Sequence, residues 1–467
     1  MSFRNTAILA VVVALLGAYL YFVERPALEK GAEKELLLEV EPDLVTRVEM
    51  VTADGAVEIA REEETWKIVA PVQAAADQKA VEALVRTVAE AEQKRVVDES
   101  PESLAPFGLE APEVLVKLTG KSGPLPALAI GNAAPIGFNA YARRGDEPAV
   151  LLTTGTTRSA LDKKLKDLRD KTILTVDEAG VEEITLRPAD GEAVVLRKDG
   201  ESWQIREPIE ARADGTKVQS LLGSLRALRA TDFVAETGAE ALAARGLAPP
   251  QLEIVVQTTT EPKEKRLLVG AEIESGDEAA PGEGSVKQVA ATSPPSEQIY
   301  LVATHVLSSL GKTASDLRDK TVVRVAAEDV SSVDVKRADG EGYELVKKDG
   351  GWSLAGDLGA ETDPLVAQRF VDDVFATKGE TVASESGDRT PFGLATPAMT
   401  ITLRDAKGGD LGALVAGLAG DDDGLEYFVA AAGDGPVFAI RDFNYRRIDK
   451  KPGELTQAGT DNEDAGE

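Results

Sequence analysis

The chain contains no cysteine. Disulfides, thiolate metal sites and cysteine nucleophiles are therefore excluded, while the redox compartment stays open, because either compartment tolerates a thiol-free chain. Histidine is almost as scarce, with His305 the single copy. Without a second histidine or an HExxH frame it makes a poor metal ligand or triad base. Basic residues are outnumbered 52 to 81, which leaves a formal net charge of −29 and a pI near 4.6. A phosphate backbone would be repelled, so no nucleic-acid partner is expected. A basic partner and a plain solvated acidic surface both stay open.

Catalytic motifs are missing too. Gly120-Lys121-Ser122 and Gly311-Lys312-Thr313 end like a phosphate loop, yet Leu115 and Val306 stand where its first glycine belongs. Asp421-Asp422-Asp423-Gly424, followed by Glu426, lacks the alternating ligand spacing of a calcium loop. It is the place to look for a metal-dependent hydrolase. No catalytic residue, metal site or cofactor is assigned.

Long apolar runs occur once. From Thr6 to Val23 no charge interrupts the chain, and as a helix the run spans roughly 27 Å, close to a hydrocarbon core. Tyr19, Tyr21 and Phe22 sit at its far end, where an aromatic belt belongs. A cleaved signal peptide is the competing reading, but its apolar stretch is normally shorter and ends in a small-residue site. The expectation is an uncleaved anchor over 6–23, with 1–5 cytoplasmic and the bulk of the chain outside the inner membrane. Arg25, Lys30 and Lys34 after the span against Arg4 before it argue the other way by charge counting.

Repetition is abundant. Asp167-Leu168-Arg169-Asp170-Lys171-Thr172 returns as Asp316-Leu317-Arg318-Asp319-Lys320-Thr321. Aligning the chain on Trp66, Trp203 and Trp352 extends the match to three copies. Each opens with a β-prone run that turns at Ala-Asp-Gly (Gly55, Gly191, Gly340) and continues into the tryptophan, a hairpin signal because glycine enters positive φ without a Cβ clash. Asp77, Asp214 and Asp363 follow the tryptophans at one common spacing and precede helical periodicity, which predicts helix caps rather than catalytic carboxylates. The tryptophans read as core residues packed on that helix; an aromatic binding platform is the other reading.

Further on, Gly108, Gly246 and Gly393 each lie in a Gly-Leu segment that a proline leads into an alternating strand. A last amphipathic helix is expected through Leu161, Leu165 and Leu168, ending in the repeated hexapeptide. The fold class predicted is α+β: an N-terminal transmembrane helix followed by three tandem repeats of a mainly antiparallel sheet-plus-helix module. The boundaries read are a linker over 24–43, modules over 44–174, 181–323 and 330–451, and an acidic disordered tail over 452–467.

The Asp-Gly, tryptophan and aspartate opening and the Pro-Phe-Gly-Leu segments at Pro106 and Pro391 resemble the domain of unknown function 4340 family. The third copy departs from the pattern by lacking the proline after its tryptophan and a clear Asp-Leu-Arg-Asp-Lys. The resemblance implies membrane-anchored bacterial proteins beside ABC-type transport systems of the gliding-motility auxiliary kind, and carries no catalytic residues. The expected function is a non-enzymatic extracytoplasmic accessory or scaffold protein, held to the cytoplasmic membrane through 6–23 and partnered by ABC transporter membrane subunits. An envelope polymer- or peptide-binding protein is the alternative.

Overall fold

The computed structural model describes residues 35–275, 286–356, 361–385, 387–421 and 424–457. Alternation builds the first module. In Val45–Thr52, Val48, Met50 and Thr52 turn inward while Arg47 and Val51 face solvent. Gly55, at φ +120°, closes the hairpin opposite Thr52 and starts Gly55–Glu62. Thr65–Ala70 then buries Trp66 and Ile68. The helix Gln78–Ala89 carries Val81, Leu84, Val85 and Val88 on one stripe, and this stripe shares a continuous core with Trp66 and the sheet.

The helix takes the chain from one edge of the sheet to the other. The strand order is Ala74–Ala75, Thr65–Ala70, Gly55–Glu62, Val45–Thr52, Val114–Gly120, Leu128–Ala133, Asn139–Arg144, Val150–Thr154 and Arg95–Asp98, every pairing antiparallel. Arg95–Asp98, the next strand after the helix, thus lands on the far edge. Adjacent residues serve opposite faces: Leu128 and Ile130 join the helix-side core, whereas Ala129 packs with Leu109, Val150 and Phe107 behind the sheet. Among the described residues the same scheme recurs, giving three mostly antiparallel sheets of ten, nine and eight strands.

The fold class needs a correction. No helix among the described residues is long and apolar enough to cross a membrane. The longest, Gly215–Ala227 and Pro364–Ala376, have 13 residues each; at about 1.5 Å per residue they reach about 20 Å, against about 30 Å of hydrocarbon. The anchor expected over 6–23 lies outside the described residues, and the transmembrane helix is withdrawn from the fold class. What remains is three mainly antiparallel sheets, each covered on one face by a helix.

The closing helix is also different from the expectation. It is two short helices, Gly155–Leu161 and Leu165–Leu168, and Arg169 is already extended at φ −82°, ψ 146°. The break has a local cause: the Asp167 carboxylate accepts from the Lys164 N–H and starts a new helix there. The second module repeats this with Thr313 capping Ala314–Leu317 and Asp316, inside that helix, accepting from the Thr313 N–H.

Core burial shifts the module boundaries. Leu37 and Leu38 belong to the first core, and Val322 and Val323 to the third, all ahead of the starts read at 44 and 330. Leu455 belongs to the third core as well, so that module runs past 451 into residues read as tail; 458–467 lie outside the described residues. By contacts the chain divides into two compact units. The first runs to Ile173 and includes Arg229–Val234; the second holds Leu174–Leu228 and the chain from Ala235 on.

Candidate functional site

The side chains that recur in all three modules form a clasp around one aspartate. The Asp77 carboxylate accepts from the Ala80 N–H at 3.0 Å. Asp214 accepts from Thr216 at 3.0 Å and Lys217 at 3.3 Å, and Asp363 from Leu365 at 2.9 Å and Val366 at 3.2 Å. Each carboxylate thereby satisfies orphan amides and opposes the positive helix end. Its own backbone N–H is used as well. Asp77 donates to the Leu168 carbonyl at 2.8 Å, Asp214 to Leu317 at 2.7 Å and Asp363 to Leu455 at 2.8 Å. The end of each module is thus pinned beside the start of its long helix.

Trp66, Trp203 and Trp352 are 3%, 7% and 3% exposed, which leaves little of any indole for a sugar or peptide. They are core residues of strand three, and their backbones hold the clasp. The Trp66 carbonyl accepts from the Ala76 N–H at 3.4 Å, and that of Trp203 from Ala213 at 2.9 Å. In the first module the Gln78 amide brackets the tryptophan further: Trp66 N–H donates to Gln78 Oε1 at 2.7 Å, and Gln78 Nε2 donates to the Trp66 carbonyl at 3.0 Å. In the third, Leu354 N–H donates to Thr362 Oγ1 at 2.9 Å.

Gly108, Gly246 and Gly393 sit at φ +67°, +65° and +66° behind the sheet, the left-handed region that glycine enters freely. Each faces a second glycine on the strand it covers. A Cβ on Gly131 would overlap the Phe107 carbonyl oxygen, one on Gly270 that of Arg245, and one on Gly417 those of Gly393 and Phe392. The strand glycines escape reading from sequence, although a glycine inside a β-prone run at one common place in three copies is a usable signal. Leu37, Leu38 and Gln78 leave no such trace.

The repeated hexapeptide does two jobs in succession. Its Arg-Asp portion pairs with the segment before the capping aspartate: Asp170 N–H donates to the Ala75 carbonyl at 3.0 Å and Asp319 to Arg212 at 2.9 Å. Its Lys-Thr portion pairs beyond the following long helix, where Ala230 N–H donates to the Lys171 carbonyl at 2.8 Å and Gly379 to Lys320 at 2.9 Å. The arginines reach the same way. Arg169 lies 3.8 Å over the Phe233 ring, and buried Arg318 pairs with the Glu385 carboxylate beside Phe438. The phrase therefore pairs twice, with the segment before one long helix and with the segment after the next. Hydrogen bonds from Thr313 hold the Asp316 carboxyl below its usual range against burial, and burial pulls the Lys320 ammonium down.

No chemistry gathers elsewhere among the described residues. His305 is the exposed first residue of a helix, and no group of three His, Cys, Asp or Glu could hold a metal. Gly120-Lys121-Ser122 ends a strand, and Gly311-Lys312-Thr313 joins two short helices through the Thr313 cap. Asp422 and Asp423 of the acidic turn lie outside the described residues. Two grooves of the second module, about 650 and 490 Å³, meet at Lys198 and Gly200. In the larger, Arg197 and Glu183 already satisfy one another at 2.8 Å.

No curated protein and no solved structure matches the chain. A family match does, twice: DUF4340, a domain of unknown function, over 66–250 and again over 203–377. Both stretches open on an aligned tryptophan, so the second is the first moved on by one module. Together they run from 66 to 377, more than half of the 467 residues, and the chain belongs to the DUF4340 family.

Proposed function

We propose that the protein is a non-enzymatic extracytoplasmic accessory scaffold, whose repeated sheets present surfaces to a partner assembly. The observation that carries this reading is the use made of the recurring residues. Asp77, Asp214 and Asp363 close helices, the tryptophans fill cores, and the glycines admit close backbone contact. What was copied is a framework, and a copied framework multiplies surface where a single catalytic site would have sufficed. The formal charge of −29 favours a partner with basic surface.

The partner implied by the family resemblance is an ABC-type transport system of the gliding-motility auxiliary kind. Crosslinking of the full chain in intact cells, followed by mass spectrometry, tests this. Recovery of transporter subunits is expected; a crosslinked set without any transport component overturns the partner. The alternative of polymer binding through aligned aromatics is disfavoured by the burial of all three indoles.

A further inference from the structure

The stretch following each long helix is a slot for a short segment that pairs through an isolated antiparallel bridge, and three different segments fill it in one register. In the third module the filler is Lys320–Val323: Gly379 N–H donates to the Lys320 carbonyl at 2.9 Å, and Val322 N–H to the Thr377 carbonyl at 3.2 Å. Lys171 and Thr172 meet Ala230 and Arg229 in the same way. In the first module the filler is Glu35–Leu38, where Gln93 N–H donates to the Glu35 carbonyl at 2.7 Å and Leu37 N–H to the Ala91 carbonyl at 2.7 Å. In all three the second and third residues after the leading one are buried aliphatics: Leu37 and Leu38, Ile173 and Leu174, Val322 and Val323.

The first filler lacks the polar half of the fit. Lys320 Nζ donates to the Glu380 carbonyl at 2.7 Å, and Arg318, two residues earlier, pairs with Glu385. By strand register Lys94 and Glu99 occupy the places of Glu380 and Glu385 in the first module, and Glu99 is exposed. Exposed Glu35 stands where the lysine would donate. A glutamate cannot donate to a carbonyl.

We propose that this slot is a peptide-binding site held shut by the chain's own Glu35–Leu38 segment. Its ligand class is an extended segment of a second molecule reading Arg, then Lys-Thr, then two aliphatic residues. Such a segment adds a strand by backbone pairing, seats its aliphatics where Leu37 and Leu38 now lie, and brings its arginine to Glu99 and its lysine to the Lys94 carbonyl. The chain's own segment competes intramolecularly and lowers the apparent affinity by the fraction of slots it occupies. This goes beyond the scaffold reading and is independent of which assembly the crosslinking recovers.

The probe is a fluorescent peptide, DLRDKTVVR, copied from Asp316–Arg324. Anisotropy titration against full-length Leu37→Ala should saturate, with wild type binding about tenfold or more weakly. Replacing the peptide arginine by alanine should cost about three- to tenfold, and a second substitution, Glu99→Gln in the protein, should abolish that difference. No saturable binding to a Leu37→Ala chain that keeps the wild-type circular dichroism, or binding indifferent to the arginine and to Glu99, overturns the proposal. Should Leu37→Ala lose its fold, the wild-type chain decides by hydrogen exchange. Excess peptide should speed exchange of the Leu37 amide, and an unchanged rate overturns the proposal.

Discussion

Gly131 lies flat against Gly108, so that a methyl group on Gly131 would strike the Phe107 carbonyl and the Gly108 peptide. Backbone cannot yield as a flexible side chain can. Gly131→Ala should therefore destabilise the first module by about 1–3 kcal/mol, by forcing the turn away from the strand. Gly223, inside the helix Gly215–Ala227, offers the reverse case, since a Cβ there meets nothing within 4 Å. Gly223→Ala should stabilise by about 0.5–1 kcal/mol through helix propensity and a less flexible unfolded chain. Urea unfolding of both variants checks the pair. Equal effects would remove the close-contact account.

Asp214→Ala should cost about 0.5–2 kcal/mol, because the Thr216 and Lys217 amides lose their acceptor. Asp214→Asn should recover most of it, since the amide oxygen still caps. Neither change should reduce crosslinking to a partner, because the carboxylate faces its own helix. A loss of crosslinking with stability intact would return these aspartates to the functional list.

Trp203→Ala should cost about 3–5 kcal/mol, the usual range for truncating a buried indole. A loss below about 1 kcal/mol in urea unfolding would contradict its place in the core.

These cases separate what sequence discloses from what it hides. The caps at Asp77, Asp214 and Asp363 and the turns at Gly55, Gly191 and Gly340 are local: the partners lie a few residues away, so spacing alone reports them. Gly131 shows its place only through the threefold repeat, because its reason lies in a turn distant in sequence, and Leu37 and Leu38 are silent because their partners follow a helix still to come. The hexapeptide misleads for the same reason. Asp167 and Leu168 are helical as their composition allows, but Arg169 is drawn out by pairing with the segment at Ala76, a tertiary contact that overrides local preference.

The third module should be the alkaline-sensitive one. Burial pushes the Tyr343 phenol well above its ordinary value of 10.0, and pushes Tyr445 up to about 12. The folded chain then holds protons that the unfolded chain releases from about pH 10. The unfolded state binds fewer protons in that window, so stability is fully present below about pH 10 and declines as pH rises through about 12. Among the described residues the Tyr343 hydroxyl is buried without a hydrogen-bond partner. Tyr343→Phe should thus leave stability near neutral pH unchanged or higher by about 1 kcal/mol, and should remove part of the alkaline loss. One tryptophan per sheet makes this measurable: with Trp66→Phe and Trp203→Phe in the background, Trp352 emission reports the third module alone. Urea midpoints at pH 8 and pH 11, with and without Tyr343→Phe, decide the matter. An alkaline shift of the same size in both would show that the buried phenol is not its cause.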